Sequence, residues 1–282
     1  MTSTSESTPQ SPLPVSPVGS VAVVAHGRVD VHVAVERVRA VAEAAGVRVV
    51  DDPRDADLAV ALGGDGTILR TLARLLGSAV PVIGVNFGRV GFLAAIPRGD
   101  LERDVRRVLA GEYVVLELPT LEARLDGETF VAVNDVVATS STLGRMVELS
   151  WAVGAEDLGT VPCDGMICAS PSGSTAYNLS NGGPVLMRGL DAMAVTFIAP
   201  HSLHARPLVL PRGAELSVRN ATADVGAAVL VDGHREADIP PDGRLAIRLG
   251  PRPSLLATLP ETTFFGRYRE TFTALPDSVR KG

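Results

Sequence analysis

The stretch Leu62-Gly63-Gly64-Asp65-Gly66-Thr67 sets one carboxylate among three glycines. On such a turn the backbone N–H groups point outward with no Cβ in the way. A helix N-terminus behind them completes a site suited to phosphate. The aspartate does not belong to that cradle, because a carboxylate repels phosphate. Its chemistry fits a base or an acceptor for sugar hydroxyls. The same spacing also fits a helix-capping Asp in an ordinary β–α turn, where Thr67 could already supply the cap.

Two more clusters are candidates to serve that turn. Asn134-Asp135 places an amide beside a carboxylate at a strand end. An Asn both donates to and accepts from one nucleobase edge, and an Asp accepts two sugar hydroxyls. An Asx turn between strands is the alternative. The run from Cys163 to Pro184 crowds Asp164, Ser172, Ser174, Thr175, Tyr177, Asn178, Ser180 and Asn181 ahead of Gly182-Gly183. Its centre reads as a loop turning into a short helix, with hydroxyls and N–H groups for a polar ligand and Tyr177 as a flat surface for a ring. There is no Gly-x-Ser-x-Gly elbow and no Walker-type Gly-Lys-Ser/Thr, which disfavours a serine hydrolase and excludes a P-loop kinase. His201 and His204 lack the carboxylate-bearing helix of a zinc pair, and no metal site is expected.

The elements that position these residues follow from periodicity. Short apolar runs at Val21–Ala25, Val47–Val50, Leu58–Ala61 and Val80–Val85 alternate with helical patterns at Asp30–Gly46, Ile68–Leu76 and Asp100–Leu109. In the first helix Val31, Val35, Val38, Val41 and Ala42 recur at helical spacing. This alternation predicts a Rossmann-like parallel sheet covered on both faces, with ligands at the carboxyl ends of its strands, where Asp65 lies. Asn86 to Leu93 reads as a packed connection. Beyond Tyr113 short alternating runs take over, at Leu121–Leu125, Thr129–Val133, Val147–Val153, Ala194–Ile198, Leu216–Arg219, Ala227–Val231 and Leu245–Leu249, and they predict an all-β sandwich-like domain. The expected organisation is a disordered Ser/Thr/Pro-rich tail over 1–17, an α/β domain over 18–111, a β-rich domain over 112–265 and a segment over 266–282 returning to the first domain.

Composition narrows the function classes. Of 282 residues, 46% are hydrophobic and 21% charged, as in a globular protein, and the formal net charge of −6 argues against nonspecific nucleic-acid binding or a polybasic membrane anchor. No run of about 18 apolar residues predicts a membrane span. Cys163 and Cys168 are too few for a disulfide framework. A reduced, cytoplasmic protein is expected.

With the three clusters in order, Gly63-Gly64-Asp65-Gly66-Thr67, Asn134-Asp135 and the long Asp164-Gly165 to Gly183-Pro184 segment, the chain resembles the NAD kinase family over roughly residues 20 to 266. Pro200-His201-Ser202-Leu203 and Asp232-Gly233 also resemble it. The resemblance implies phosphoryl transfer from ATP, or in some members polyphosphate, to the 2′-hydroxyl of the adenosine ribose of NAD, with Mg²⁺ or another divalent cation carried by ATP. It implies that Asp65 is the general base, and that Gly63, Gly64, Gly66 and Thr67 hold the donor phosphates, Gly66 also touching NAD. Asn134 would read adenine and Asp135 the nicotinamide-side ribose. Thr175, Ala176, Tyr177 and Ser180 would line the adenine-end pocket, with Asp164, Asn178 and His234 also on NAD and Arg70 and Arg145 reaching a phosphate. A homodimer or homotetramer through the β domain is implied as well. Pro162 stands where some relatives carry Arg, and His234 where many have Gln. Two other classes compete. A lipid kinase shares the glycine motif but needs an apolar acceptor pocket, and a non-catalytic NAD sensor has no need of the base.

Overall fold

A computed structural model describes residues 17–26, 29–88 and 91–273. The expected tail over 1–17 lies outside them except for Pro17. The chain forms two units, Met1–Glu117 with Ser254–Gly282, and Leu118–Pro253.

The first unit is built on a sheet of seven strands: β1 (Ser20–Ala25), β2 (Arg48–Val50), β3 (Leu58–Gly63), β4 (Val82–Asn86), β5 (Ile96–Pro97), β6 (Val114–Leu118) and, after the chain has left and returned, β19 (Ser254–Thr258). Its order is β2-β1-β3-β4-β19-β6, with β5 beside β4. The pairs β1–β2, β1–β3, β3–β4, β4–β5 and β4–β19 are parallel. Every residue of β3 is buried, as a central strand of a sheet covered on both faces requires. Helix α1 (Val29–Ala44) buries Val31, Ala34, Val38, Val41 and Ala42. Helix α2 (Asp65–Arg74) buries Thr67, Ile68, Thr71 and Leu72, and α3 (Leu101–Leu109) buries Leu101, Val105, Val108 and Leu109. These are one-sided stripes at helical spacing.

Two differences from the sequence reading matter. Helix α2 begins at Asp65 rather than Ile68, because Gly64 is the N-cap in an extended conformation. Strand β19, expected inside the β domain, pairs in parallel with β4 at Leu256↔Val82 and Ala257↔Ile83. The chain therefore changes unit at Glu117 and again at Ser254, not near 111 and 266. The short run Ser254-Leu255-Leu256-Ala257-Thr258 looks like any sandwich strand, and only its distant partner decides where it goes.

The second unit is a sandwich of two antiparallel six-stranded sheets. Strands β7 (Leu121–Leu125), β8 (Glu128–Ala132), β9 (Asp135–Ser140), β10 (Val147–Val153), β11 (Glu156–Cys163) and β12 (Gly165–Ala169) are followed by β13 (Ala192–Ile198), β14 (Leu208–Pro211), β15 (Glu215–Asn220), β16 (Ala227–Val231), β17 (His234–Ile239) and β18 (Arg244–Leu249). One sheet runs β11-β10-β15-β18-β7-β8 and the other β14-β13-β12-β9-β16-β17. Alternate residues of β15 and β18 point into a shared core. There Trp151 meets Phe197 edge-on, with ring centroids 5.3 Å apart. Asp135 opens β9, and Asn134 stands in the turn between the end of β8 and the start of β9.

Candidate active site

In the first unit the glycine turn follows the carboxyl end of β3. Gly63 lies opposite Asn86 at the end of β4, and the Phe87 N–H donates to the Gly63 carbonyl at 3.0 Å. The loops after these two strands therefore lie side by side. Gly64 caps α2 with its carbonyl, which accepts from the N–H of Thr67 at 2.9 Å. The first N–H groups of a helix have no partner within it, and here they belong to Asp65 and exposed Gly66. Thr67 is buried against Gly63, and Arg70 is exposed further along α2.

Asp65 is not a helix cap. Its Oδ2 accepts from the Phe92 N–H at 2.8 Å and its Oδ1 from the Leu93 N–H at 3.2 Å. Charge-assisted bonds of this kind are the strong ones, and they fix the carboxylate's direction. A Cβ added to Gly91 would stand 2.3 Å from Asp65 Oδ2, so a larger residue there would displace the carboxylate. The loop read as a mere packed connection is thus the carboxylate's holder. The glycine spacing at 88 and 91 was the signal available in the sequence; Arg89 and Val90 lie outside the described residues.

In the second unit three chain segments meet where β9 begins and β12 and β16 end, since Asp135 lies opposite Ala169 and Val136 opposite Val231. Asp232 organises the meeting. Its carboxylate accepts from the N–H groups of Val133 at 2.9 Å, Asn134 at 2.7 Å and Asp135 at 3.2 Å. Asp232 adopts φ +49, a left-handed turn position that Asp tolerates better than most residues. Nothing in the letters Asp232-Gly233 beyond their turn signal points to this task.

The Ser170–Gly173 loop closes on the same spot. Ser170 Oγ donates to the Val133 carbonyl at 2.6 Å and the Ser170 N–H to the Asn134 carbonyl at 2.8 Å. A Cβ on Gly173 would lie 2.1 Å from that Asn134 oxygen. Beyond the loop, Ala176, Tyr177 and Ser180 are exposed and Thr175 half-buried, around the four-residue helix α4 (Tyr177–Ser180). Asn178 faces inward. Its amide donates to the carbonyls of Ser174 and Pro184, each at 3.0 Å, and its oxygen accepts from Thr196 Oγ1 at 2.7 Å. Three of its four hydrogen-bonding positions are thereby taken by the scaffold. Asn134 Oδ1 and Ser172 Oγ, in contrast, are buried with no protein partner, a costly state unless something else pairs with them.

The remaining expected site residues are more peripheral. Asp164 is exposed between β11 and β12, and His234 is exposed at the start of β17. Arg145 pairs with Asp224 at 2.8 Å.

The electrostatics of the second unit centre on Asp135. Burial, reinforced by the nearby Asp232 charge, pushes its carboxyl up to about 7. Burial raises Asp232 as well, but its three backbone donors oppose the shift. Both carboxyls are thus held above the ordinary carboxylate range, and the three donors favour the charged form of Asp232. Both cysteines are free and buried. Burial raises both thiols, Cys163 to about 12, which leaves them unreactive. Among the described residues, no three His, Cys, Asp or Glu side chains converge to hold a metal ion, and no helix is long and apolar enough to cross a membrane.

Comparison with known proteins places both parts of the chain in one family. The family model for the ATP-NAD kinase N-terminal domain matches residues 28–113 and that for the C-terminal domain residues 133–259. An NAD kinase of Heliobacterium modesticaldum is 41% identical over 225 residues, 78% of this chain and 80% of that one. One of Leifsonia xyli is 38% identical over 227 residues, 78% of this chain and 75% of that one. Among solved structures, an NAD kinase from Archaeoglobus fulgidus in complex with ATP aligns with a TM-score of 0.74 at 26% identity, covering 89% of this chain and 98% of that one. The fold of yeast NADH kinase complexed with NADH aligns with a TM-score of 0.80 at 22% identity, over 93% of this chain and 90% of that one. The chain belongs to the NAD kinase family of phosphotransferases.

Proposed function

We propose that the chain moves the terminal phosphoryl group of ATP, or of polyphosphate, to the 2′-hydroxyl of the adenosine ribose of NAD, giving NADP. The observation that carries this reading is the carboxylate of Asp65, on the first turn of α2 at the end of a buried parallel strand, aimed by two backbone N–H groups. Each carboxylate oxygen keeps a free lone pair after accepting one amide. One of these takes the hydroxyl proton as the ribose oxygen bonds to the terminal phosphorus, and the bond to the bridging oxygen breaks to release ADP, or a polyphosphate shorter by one unit. Such a transfer asks the protein mainly for positioning and charge neutralisation. The ATP-bound Archaeoglobus relative supports ATP as donor. The helix N-terminus at Gly64 to Thr67, with Gly63 before it and Arg70 beyond, is where donor phosphates would lie.

A divalent cation carried with ATP would neutralise phosphate charge, and its ligands would be phosphate oxygens and water rather than a protein cage. For NAD, the unpartnered Asn134 Oδ1 offers an acceptor to the adenine amino group, and Asp135 serves the nicotinamide-side ribose. Thr175, Ala176, Tyr177 and Ser180 present the exposed surface of the adenine pocket. Asn178 supports that surface from within. Asp164, His234 and Arg145 contribute at the rim, Arg145 only after leaving Asp224. The same reading has the chain working in the cytoplasm as a homodimer or homotetramer through its β unit, where Leu143 and Leu203 are exposed.

Incubating the purified protein with NAD, ATP and Mg²⁺ should yield NADP. Bound NAD without NADP would favour a sensor, and phosphorylation of diacylglycerol or sphingosine instead would favour the lipid-kinase reading.

A further inference from the structure

We infer that the C-terminal segment, α5 (Phe264–Tyr268) with the π-helical turn Arg269–Thr273 that follows it, is a strap that sets the Asp65 carboxylate for turnover, acting through Phe92. The inference rests on the reading of Asp65 as the base.

Phe92 is held at both ends. Its N–H lies 2.8 Å from Asp65 Oδ2. Its ring, itself buried, stands 5.5 Å from the Phe272 ring and 6.2 Å from the Phe264 ring, centroid to centroid. These are the separations of favourable aromatic pairs. Tyr268 packs edge-on against Phe272 at 4.9 Å and extends the cluster.

A second attachment lies two and three residues along the same loop. The Arg267 guanidinium donates to the carbonyls of Ala94 at 2.5 Å and Ala95 at 3.2 Å. Glu270 pairs with it at 3.1 Å and keeps it oriented. The Ala95 N–H in turn donates to the Gly84 carbonyl of β4 at 3.0 Å. The far end of the loop is therefore pinned to the sheet. The part that touches Asp65 lies between the carboxylate and the strap.

Among the described residues, no group of the β3–α2 turn itself bonds the Asp65 carboxylate. Gly64 and Gly66 flank it, and α2 has no side-chain cap. What holds the carboxylate is the loop, and what holds the loop from outside is the strap. A shift of about 1 Å in a group that must meet a reacting hydroxyl can cost on the order of a hundredfold in rate.

The strap is also separable from the core. A cleft of about 260 Å³ runs beneath α5, lined in part by Asp100, Arg103, Glu261, Arg267 and Glu270, and Phe265, Tyr268 and Phe272 are exposed on its surface. Its few attachments can be cut without emptying the hydrophobic core.

The test uses the full-length protein with Phe272→Leu, Arg267→Ala and Arg267→Lys, alone and combined with Asp65→Asn. Phe272→Leu and Arg267→Ala should each lower kcat roughly tenfold, with KM for NAD and ATP changed less than about twofold. Arg267→Lys should recover part of the loss, because an ammonium can still reach one of the carbonyls. In the Asp65→Asn background the strap substitutions should cost nothing further, since no base remains to be positioned. Parental kcat in both Phe272→Leu and Arg267→Ala overturns the strap. So does a change confined to KM, or the same loss repeated in the Asp65→Asn background. If Phe272→Leu does not fold, the Arg267→Ala and Arg267→Lys pair decides alone. Parental turnover in Asp65→Asn by itself would overturn the base reading instead, which keeps the two failures distinct.

Discussion

Asp65 in the α/β unit and Asp135 in the β unit both stand beside the end of a strand, yet the chain surrounds them in opposite ways. Asp65 is half-buried and accepts two backbone N–H groups. Asp135 is 6% exposed and faces a second carboxylate, Asp232, which takes the backbone donors for itself. The two settings suit the two tasks proposed for them. A group that must take a proton at a defined moment needs a fixed direction and an open face. A group that grips a ribose gains from a closed, low-dielectric pocket in which each hydrogen bond counts for more. The pocket has a cost, because burial drives the Asp135 carboxyl up to about 7 and makes its charge depend on pH near neutrality.

If this contrast is right, equivalent damage in the two units should have different kinetic signatures. Of the paired glycine and Asp135 substitutions, the largest effect is expected for Gly91→Ala. The new Cβ would overlap the Asp65 carboxylate, so kcat should fall on the order of a hundredfold while NAD affinity stays near parental. Steady-state kinetics beside an equilibrium NAD titration would show the split, and a matching loss of NAD affinity would break the contrast. Gly173→Ala is its counterpart in the β unit, where the Cβ would run into the Asn134 carbonyl. NAD affinity should fall roughly thirtyfold and the thermal midpoint should drop, since backbone must shift to make room.

Asp135→Asn should weaken NAD binding about tenfold at pH 8, the value of one lost charge-assisted hydrogen bond. It should act on stability in the other direction. A carboxyl raised in the folded state stabilises the fold below the ordinary carboxylate range. That contribution is lost as pH climbs through about 7. The parent should therefore be less resistant to urea at pH 8 than at pH 5.5. Asp135→Asn should flatten that difference and leave the protein more stable at pH 8. Asp232, raised in the same direction, leaves part of the slope in place. Urea midpoints at the two pH values measure it.

The sequence made the local parts readable and hid the long-range ones. The glycine turn, the amphipathic stripe of α1 and the alternating strands at Val147–Val153 and Ala227–Val231 carry their reasons within a few residues. What positions the chemistry does not. Phe92 reaches Asp65 across 27 residues of sequence, and Asp232 reaches Asn134 across 98. Backbone donors carry no residue type, so nothing in the letters Phe92 and Leu93 announces a carboxylate holder. Asn178 shows the converse. It looks like a ligand contact by its company of hydroxyl residues, but the structure spends most of its amide on Ser174, Pro184 and Thr196. Strand β19 is a third instance, because a short apolar run does not say which sheet it will join.

The most direct test of the account is Asp65→Asn, assayed both for NAD binding and for NADP formation from NAD, ATP and Mg²⁺. The carboxamide keeps the size of the side chain and can still accept one N–H through its oxygen. The variant should fold and bind NAD at near-parental affinity, with turnover reduced by about 10²–10⁴-fold, the usual contribution of a general base. Near-parental turnover in that variant would contradict that role for Asp65.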